Sequence, residues 1–230
     1  MRYLCLLLML LVSTVGAQQP SRPTKLQQST RLFARVWDGY FAGYGIDFAV
    51  PAIIPFHGTK RSACGNLPAG NAYYCERDNT IYYDDAFLAK LGKWIGRSTG
   101  SKGEAAAVVA IAHELGHAVF SQRSPERDQL RMPYQQLNGY GQEKVADCLA
   151  GVVTRAAFEK GILDKEDLLE AEETIKVVGE SNFDLKHPER PGETYPNWKI
   201  RRESYLQGFE AGVNGCRASV IEKLQAQPLR

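Results

Sequence analysis

A helix with almost no polar residue that then presents three chargeable groups constrains this chain more than any other stretch. From Glu104 the sequence runs Ala105-Ala106-Ala107-Val108-Val109-Ala110-Ile111-Ala112 into His113-Glu114-Leu115-Gly116-His117 and on to Phe120. A helix that is apolar all round belongs in the core of a domain. This run is too short to cross a bilayer. Ser101 and Glu104 have the spacing of a capping box, which predicts where the helix starts. His, Glu and His side by side in such an interior need partners. Imidazoles four positions apart lie one turn apart on one face. One Zn²⁺ can take a nitrogen from each, and Glu114 then projects within reach of the ion's water.

A catalytic zinc site usually takes three protein ligands and keeps one position open. A His six residues after the motif, with Gly at the third, is one known pattern for the third ligand. Here Arg123 and Phe120 occupy those positions, so it is excluded. A Glu on a second helix is the other, and Glu143-Lys144-Val145-Ala146-Asp147 supplies it, in a helix predicted over 142–160. Glu143 and Asp147 share a face. With Glu143 on the metal, Asp147 can accept the Nδ1–H of a zinc-bound His and fix its tautomer. Small Ala146 and Ala150 on that side would let the two helices approach closely. The plain alternative is a pair of surface acids favoured by a helix N-terminus.

The N-terminus reads as an export signal. Arg2 is followed by an apolar stretch from Leu4 to Val12, and Val15-Gly16-Ala17 is a small-residue cleavage site. Residues 1–17 are assigned as a signal peptide and 18–230 as a single domain, an uncleaved anchor being the alternative. The expected localisation is secreted or periplasmic, with no stable membrane insertion after cleavage. Cys64, Cys75, Cys148 and Cys216 form an even set in an exported chain, which implies disulfides. Three pairings are open. The favoured one closes a short loop with Cys64–Cys75 and ties a helix to the C-terminal segment with Cys148–Cys216. The net charge of +2 and the lack of any Lys/Arg run exclude nucleic acid as an expected partner.

Elsewhere the periodicity predicts a helix over 30–44, an edge strand over 48–56 broken by Pro51 and Pro55, and a hairpin over 71–83. A short helix from Asp84 to Leu91 is followed by a loop marked by Gly92, Gly96, Gly100 and Gly103. Helices are predicted over 164–178 and 198–213, and loops over 121–141 and 180–197. The acidic residues between 164 and 173 read as a solvated face. His57 has no visible partner.

Two strings carry a family resemblance: Ala110-Ile111-Ala112-His113-Glu114-Leu115-Gly116-His117 and Glu143-Lys144-Val145-Ala146-Asp147-Cys148-Leu149-Ala150-Gly151. They resemble the two metal motifs of the bacterial putative neutral zinc metallopeptidases, zincins whose third ligand is Glu (gluzincin-like). Ala63-Cys64-Gly65, Tyr73-Tyr74-Cys75, Tyr82-Tyr83-Asp84, His187, Arg201 and Gly208-Phe209-Glu210-Ala211-Gly212 are similar to further segments of that family. The resemblance implies an α+β, zincin-like fold: a small antiparallel sheet on a buried active-site helix, with a mostly helical C-terminal half.

It also implies peptide-bond hydrolysis as the reaction type; together with the residues this predicts a zinc-dependent metallopeptidase, endopeptidase in preference to exopeptidase, with one Zn²⁺ per chain on His113, His117 and Glu143. Zinc would acidify a water and polarise the scissile carbonyl. Glu114 would serve as general base. His187 is the candidate oxyanion donor, with Tyr74 and Tyr83 behind it. A polypeptide substrate would add as a strand to the edge at Asn71, Ala72, Tyr73 and Tyr74. Two rival readings keep the same residues: a secreted zinc-binding interaction module without catalysis, and a zinc hydrolase acting on cell-wall amide bonds. Oligomeric state stays open.

Overall fold

A computed structural model describes residues 23–122, 139–183 and 197–226. The proposed signal peptide, most of both predicted loops, and His187 lie outside the described residues. Among the described residues the chain is α+β and mostly helical, with six helices and five strands.

The first helix, α1 (Lys25–Ala42), starts at a capping box in which Thr24 and Gln27 exchange side-chain and backbone hydrogen bonds. It buries Leu32, Phe33, Trp37 and Phe41 against the core. Strands β1 (Ala52–Phe56), β4 (Ala72–Cys75) and β5 (Thr80–Asp84) form one sheet in the order β1-β5-β4. β4 and β5 are the predicted hairpin. β1 pairs parallel to β5, so the sheet is mixed where an antiparallel one was expected. The cause is an extra reversal: a small hairpin of β2 (Lys60–Ser62) and β3 (Gly65–Leu67) intervenes before β4. These strands are three residues each, and the one buried apolar residue they contain, Leu67, sets up no alternation to announce them.

Helix α2 (Asp85–Thr99) starts at Asp84, whose carboxylate accepts the N–H groups of Ala86 and Phe87. It runs well past Leu91, where the sequence predicted a loop. Gly92 and Gly96 are helical and lie against the backbone that enters the next helix. A Cβ on Gly92 would stand 2.9 Å from the Gly103 carbonyl oxygen, and one on Gly96 2.8 Å from that of Ser101. These glycines permit contact between elements; they do not break the helix.

The motif helix α3 (Glu104–Ser121) is central and packs against α1, α2, α4 (Gly139–Glu159) and α5 (Lys165–Phe183). The predicted Ser101/Glu104 capping box does not form. Gly103 is the N-cap, without a side-chain cap bond. Glu170 of α5 takes its place, accepting the N–H groups of Gly103 and Ala105 at 2.7 Å each and the hydroxyl of Ser101. Glu170 and Asp167 are each only 2% exposed, so the acidic stretch is not a solvated face throughout. Asp167 meets Lys25 of α1 at 2.7 Å. Both acids turn inward because distant segments supply their donors.

The last helix, α6 (Trp198–Ala226), breaks at Gly212 (φ 64°, ψ −154°) and continues past the predicted end. Arg155 of α4 takes the carbonyls of Phe209 and Glu210 just before the break. The α4–α6 crossing is close: a Cβ on Gly208 would overlap the Cys148 carbonyl, and one on Gly151 that of Tyr205. Disulfides join Cys64 to Cys75 and Cys148 to Cys216. The first ties the β2–β3 loop to the end of β4, the second α4 to α6. No helix among the described residues is long and apolar enough to cross a membrane.

Candidate metal centre

His113 and His117 project from one face of α3 toward Glu143 at the start of α4. The two helices come close enough because of Gly116, whose added Cβ would stand 2.5 Å from the Ala146 carbonyl oxygen. The Nε2 atoms of His113 and His117 are 3.2 Å apart. Glu143 Oε2 is 3.2 Å from His113 Nε2, and Oε1 is 3.5 Å from His117 Nε2. Ligands about 2.0–2.1 Å from a tetrahedral zinc stand roughly 3.3 Å from one another, so the three donors fit a single ion. Among the described residues no fourth His, Cys, Asp or Glu joins this group, and three protein donors is the number a catalytic zinc site takes.

The network behind the donors strengthens the fit. Asp147, fully buried one turn after Glu143, lies 2.8 Å from His113 Nδ1. An acceptor there assigns the proton to Nδ1 and leaves a lone pair on Nε2, aimed at Glu143 and His117. Nitrogen and carboxylate lone pairs converging on one point call for a cation. Without one, a proton takes that place. Burial acts to lower the His113 pKa, but the carboxylates of Asp147 and Glu143 push it up to about 10. Burial acts to raise Glu143 and Asp147, yet both are held below the ordinary carboxylate range, Glu143 by His113, His117 and Arg201 and Asp147 by Arg201 and His113. Arg201 of α6 forks onto Asp147 with Nε at 2.7 Å and Nη2 at 2.8 Å. Its position in sequence gave no spacing signal; only the family resemblance pointed to it.

Glu114 is buried on the side of α3 that faces the sheet, and its Oε2 accepts the main-chain N–H of Tyr74 at 2.7 Å. The bond Asp84 N–H to Asn71 C=O marks a hydrogen-bonded pair in the hairpin. By alternation, the main-chain groups of Ala72 and Tyr74 point away from β5, toward α3. Beside His113 and Glu114 a narrow slot opens, lined by Phe87, Leu91, Val109, Ala110, Ile175 and Val178, with Asn71 and Ala72 at its sheet side.

The remaining candidates fall elsewhere. The Tyr74 hydroxyl donates to Asn79 and accepts from Ser121, so its proton is already engaged. Tyr83 lines a separate hollow with Leu26, Asp85, Glu104 and Ala107, beside the first turns of α3. His57 is exposed and 2.8 Å from Asp85, a partner the sequence did not reveal. His57, Asp84 and Asp85 also lie close together, but the Asp84 oxygens already accept from Gly70, Ala86 and Phe87.

Two helices thus offer a His–His–Glu trio for one metal ion, beside an acid held at a sheet edge. The chain belongs to the family described as "Putative neutral zinc metallopeptidase", whose model matches residues 17–217. It is similar to YpfJ of Escherichia coli, described as an uncharacterized protein, in strain K12 and in O6:H1. Identity is 27% over 189 residues in each case, covering 76% of this chain and 63% of the relative. The chain therefore spans less than two thirds of the length of these curated relatives. No solved structure matches it.

Proposed function

We propose that this protein is an exported zinc-dependent metallopeptidase that hydrolyses internal peptide bonds. The observation that carries the reading is Glu114, an acid that a purely structural metal site does not need. It lies next to the first His and is held by a sheet edge. A divalent ion on His113, His117 and Glu143 supplies Lewis acidity toward a carbonyl and a water. Glu114 takes a proton from the attacking water on its carboxylate and delivers it to the leaving amine.

The outward groups of Ala72, and the carbonyl of Tyr74, are available to hydrogen-bond an extended substrate segment along β4. The slot beside Glu114 would take an apolar side chain of that segment. His187 remains the candidate donor to the developing oxyanion.

Cleavage of casein or unstructured peptides by the purified zinc-loaded protein tests the proposal. Loss of cleavage in Glu114→Gln with zinc retained is expected. Wild-type protein that binds zinc but cuts no peptide would favour the non-catalytic module. Release of fragments from purified cell wall alone would favour amide hydrolysis in peptidoglycan.

A further inference from the structure

Arg201 is 3% exposed and reaches the centre from α6, a helix that carries none of the three donors. Its planar fork engages both oxygens of Asp147, and Nη2 also lies 3.3 Å from His113 Nδ1 and 3.5 Å from Glu143 Oε2. Such a fork fixes the plane of the carboxylate it holds, which an ammonium cannot do. Asp147 Oδ1 is thereby aimed at His113 Nδ1. Two carboxylates a turn apart on α4 both reach His113, on opposite ring nitrogens. Glu143, held less tightly by Arg201, turns its oxygens to the Nε2 atoms of the two histidines.

The helix that delivers Arg201 is itself firmly seated. Tyr205 hydrogen-bonds Thr154 at 2.8 Å, Gly208 lies against the Cys148 backbone, and Cys216 is bonded to Cys148. The guanidinium therefore approaches Asp147 from one direction.

We infer that Arg201 is a positioning residue for the metal. By clamping Asp147 as the acceptor for His113 Nδ1–H, it sets the zinc affinity of a centre whose donors all lie on other helices. The inference rests on the zinc reading above and extends it to the C-terminal helix. It makes a prediction opposite to simple electrostatics. Removing a buried cation near a cation site should tighten zinc binding by Coulomb's law. Losing the clamp should weaken it, since partners behind a ligating His are typically worth 10–100-fold in affinity.

The test is the zinc dissociation constant, measured by chelator competition on the folded full chain for wild type, Arg201→Lys, Arg201→Met, Asp147→Asn and the Arg201→Lys/Asp147→Asn pair. Arg201→Lys keeps the charge and loses the fork. We expect both single Arg201 variants to bind zinc about 10–100-fold more weakly. In the Asp147→Asn background the Lys substitution should add little, because the arginine acts through that carboxylate. A purely structural role would lower the melting temperature of the metal-free protein and leave zinc affinity unchanged. If Arg201→Met fails to fold, Arg201→Lys and the double variant still decide. Unchanged or tighter zinc binding in the Arg201 variants, or additive losses in the pair, overturn this inference alone. A wild-type chain that takes up no zinc overturns the zinc reading beneath it as well.

Discussion

The main-chain N–H of Tyr74 holds the carboxylate of Glu114 at 2.7 Å across forty residues of sequence. The bond couples the sheet edge to the motif helix, so in the proposed function the strand that would receive a substrate also orients the acid that would act on its scissile bond. Gln at position 114 can still accept that N–H but cannot take a proton. Glu114→Gln should therefore lower kcat by about 10²–10⁴-fold while zinc content and fold stay as in the wild type. Retained turnover in that variant, by peptide cleavage assay, would remove Glu114 from the chemistry.

Gly116 has no room for a side chain. A methyl group there meets the Ala146 carbonyl oxygen at 2.5 Å and the Ala146 Cα at 2.8 Å, backbone atoms that cannot swing aside. Gly116→Ala must push α4 away and carry Glu143 with it. We predict a loss of roughly 1–3 kcal/mol in stability and a weaker zinc site. Denaturant unfolding with and without chelator reads both; an unaltered midpoint in both conditions would contradict the packing.

Much of this site was legible because its chemistry is local. His113, Glu114 and His117 lie on successive turns of one helix, and Glu143 and Asp147 on successive turns of another. The β4–β5 hairpin was marked by its aromatic arms. Features made by distant partners were not legible. Gly92 and Gly96 signalled a loop, although they serve close contact inside α2. Ser101 and Glu104 had the right spacing for a cap, but Glu170 captured the donors from α5. The parallel pairing of β1 followed from a small hairpin with no pattern of its own. The fork of Arg201 on Asp147 spans fifty-four residues.

Glu170 anchors the start of the motif helix from a distance. Removing its carboxylate in Glu170→Ala leaves the Gly103 and Ala105 N–H groups buried without an acceptor, at about 1–3 kcal/mol for each. The unfolding midpoint should fall accordingly, with zinc stoichiometry unchanged in the fraction that remains folded. A midpoint equal to the wild type would show that the cap contributes nothing.

Zinc uptake should expel a proton. In the metal-free chain His113 keeps its proton up to about pH 10, and binding requires Nε2 to be bare. The proton belongs to the metal-free form, so lowering the pH favours that form and raising it favours the metal-bound form. Affinity should rise about tenfold per pH unit across neutrality for a single proton released. Calorimetry in buffers of different ionisation enthalpy counts that proton. Affinity that is flat with pH would contradict the arrangement around His113.

The slot lined by Phe87, Leu91 and Val109 should give the cleavage a preference for an apolar side chain at one position next to the scissile bond. Replacing Ala110 with Leu should narrow the slot and shift the preference toward small residues. Profiling on a peptide library reads the shift; identical profiles for variant and wild type would place the specificity elsewhere.

The most direct measurement is metal analysis of the purified chain beside Glu143→Ala. We predict close to one zinc per wild-type chain and a large drop when the carboxylate on α4 is removed. A wild-type protein that is fully folded and active with no bound metal, or a Glu143→Ala variant that holds zinc as tightly as the wild type, would contradict the zinc reading.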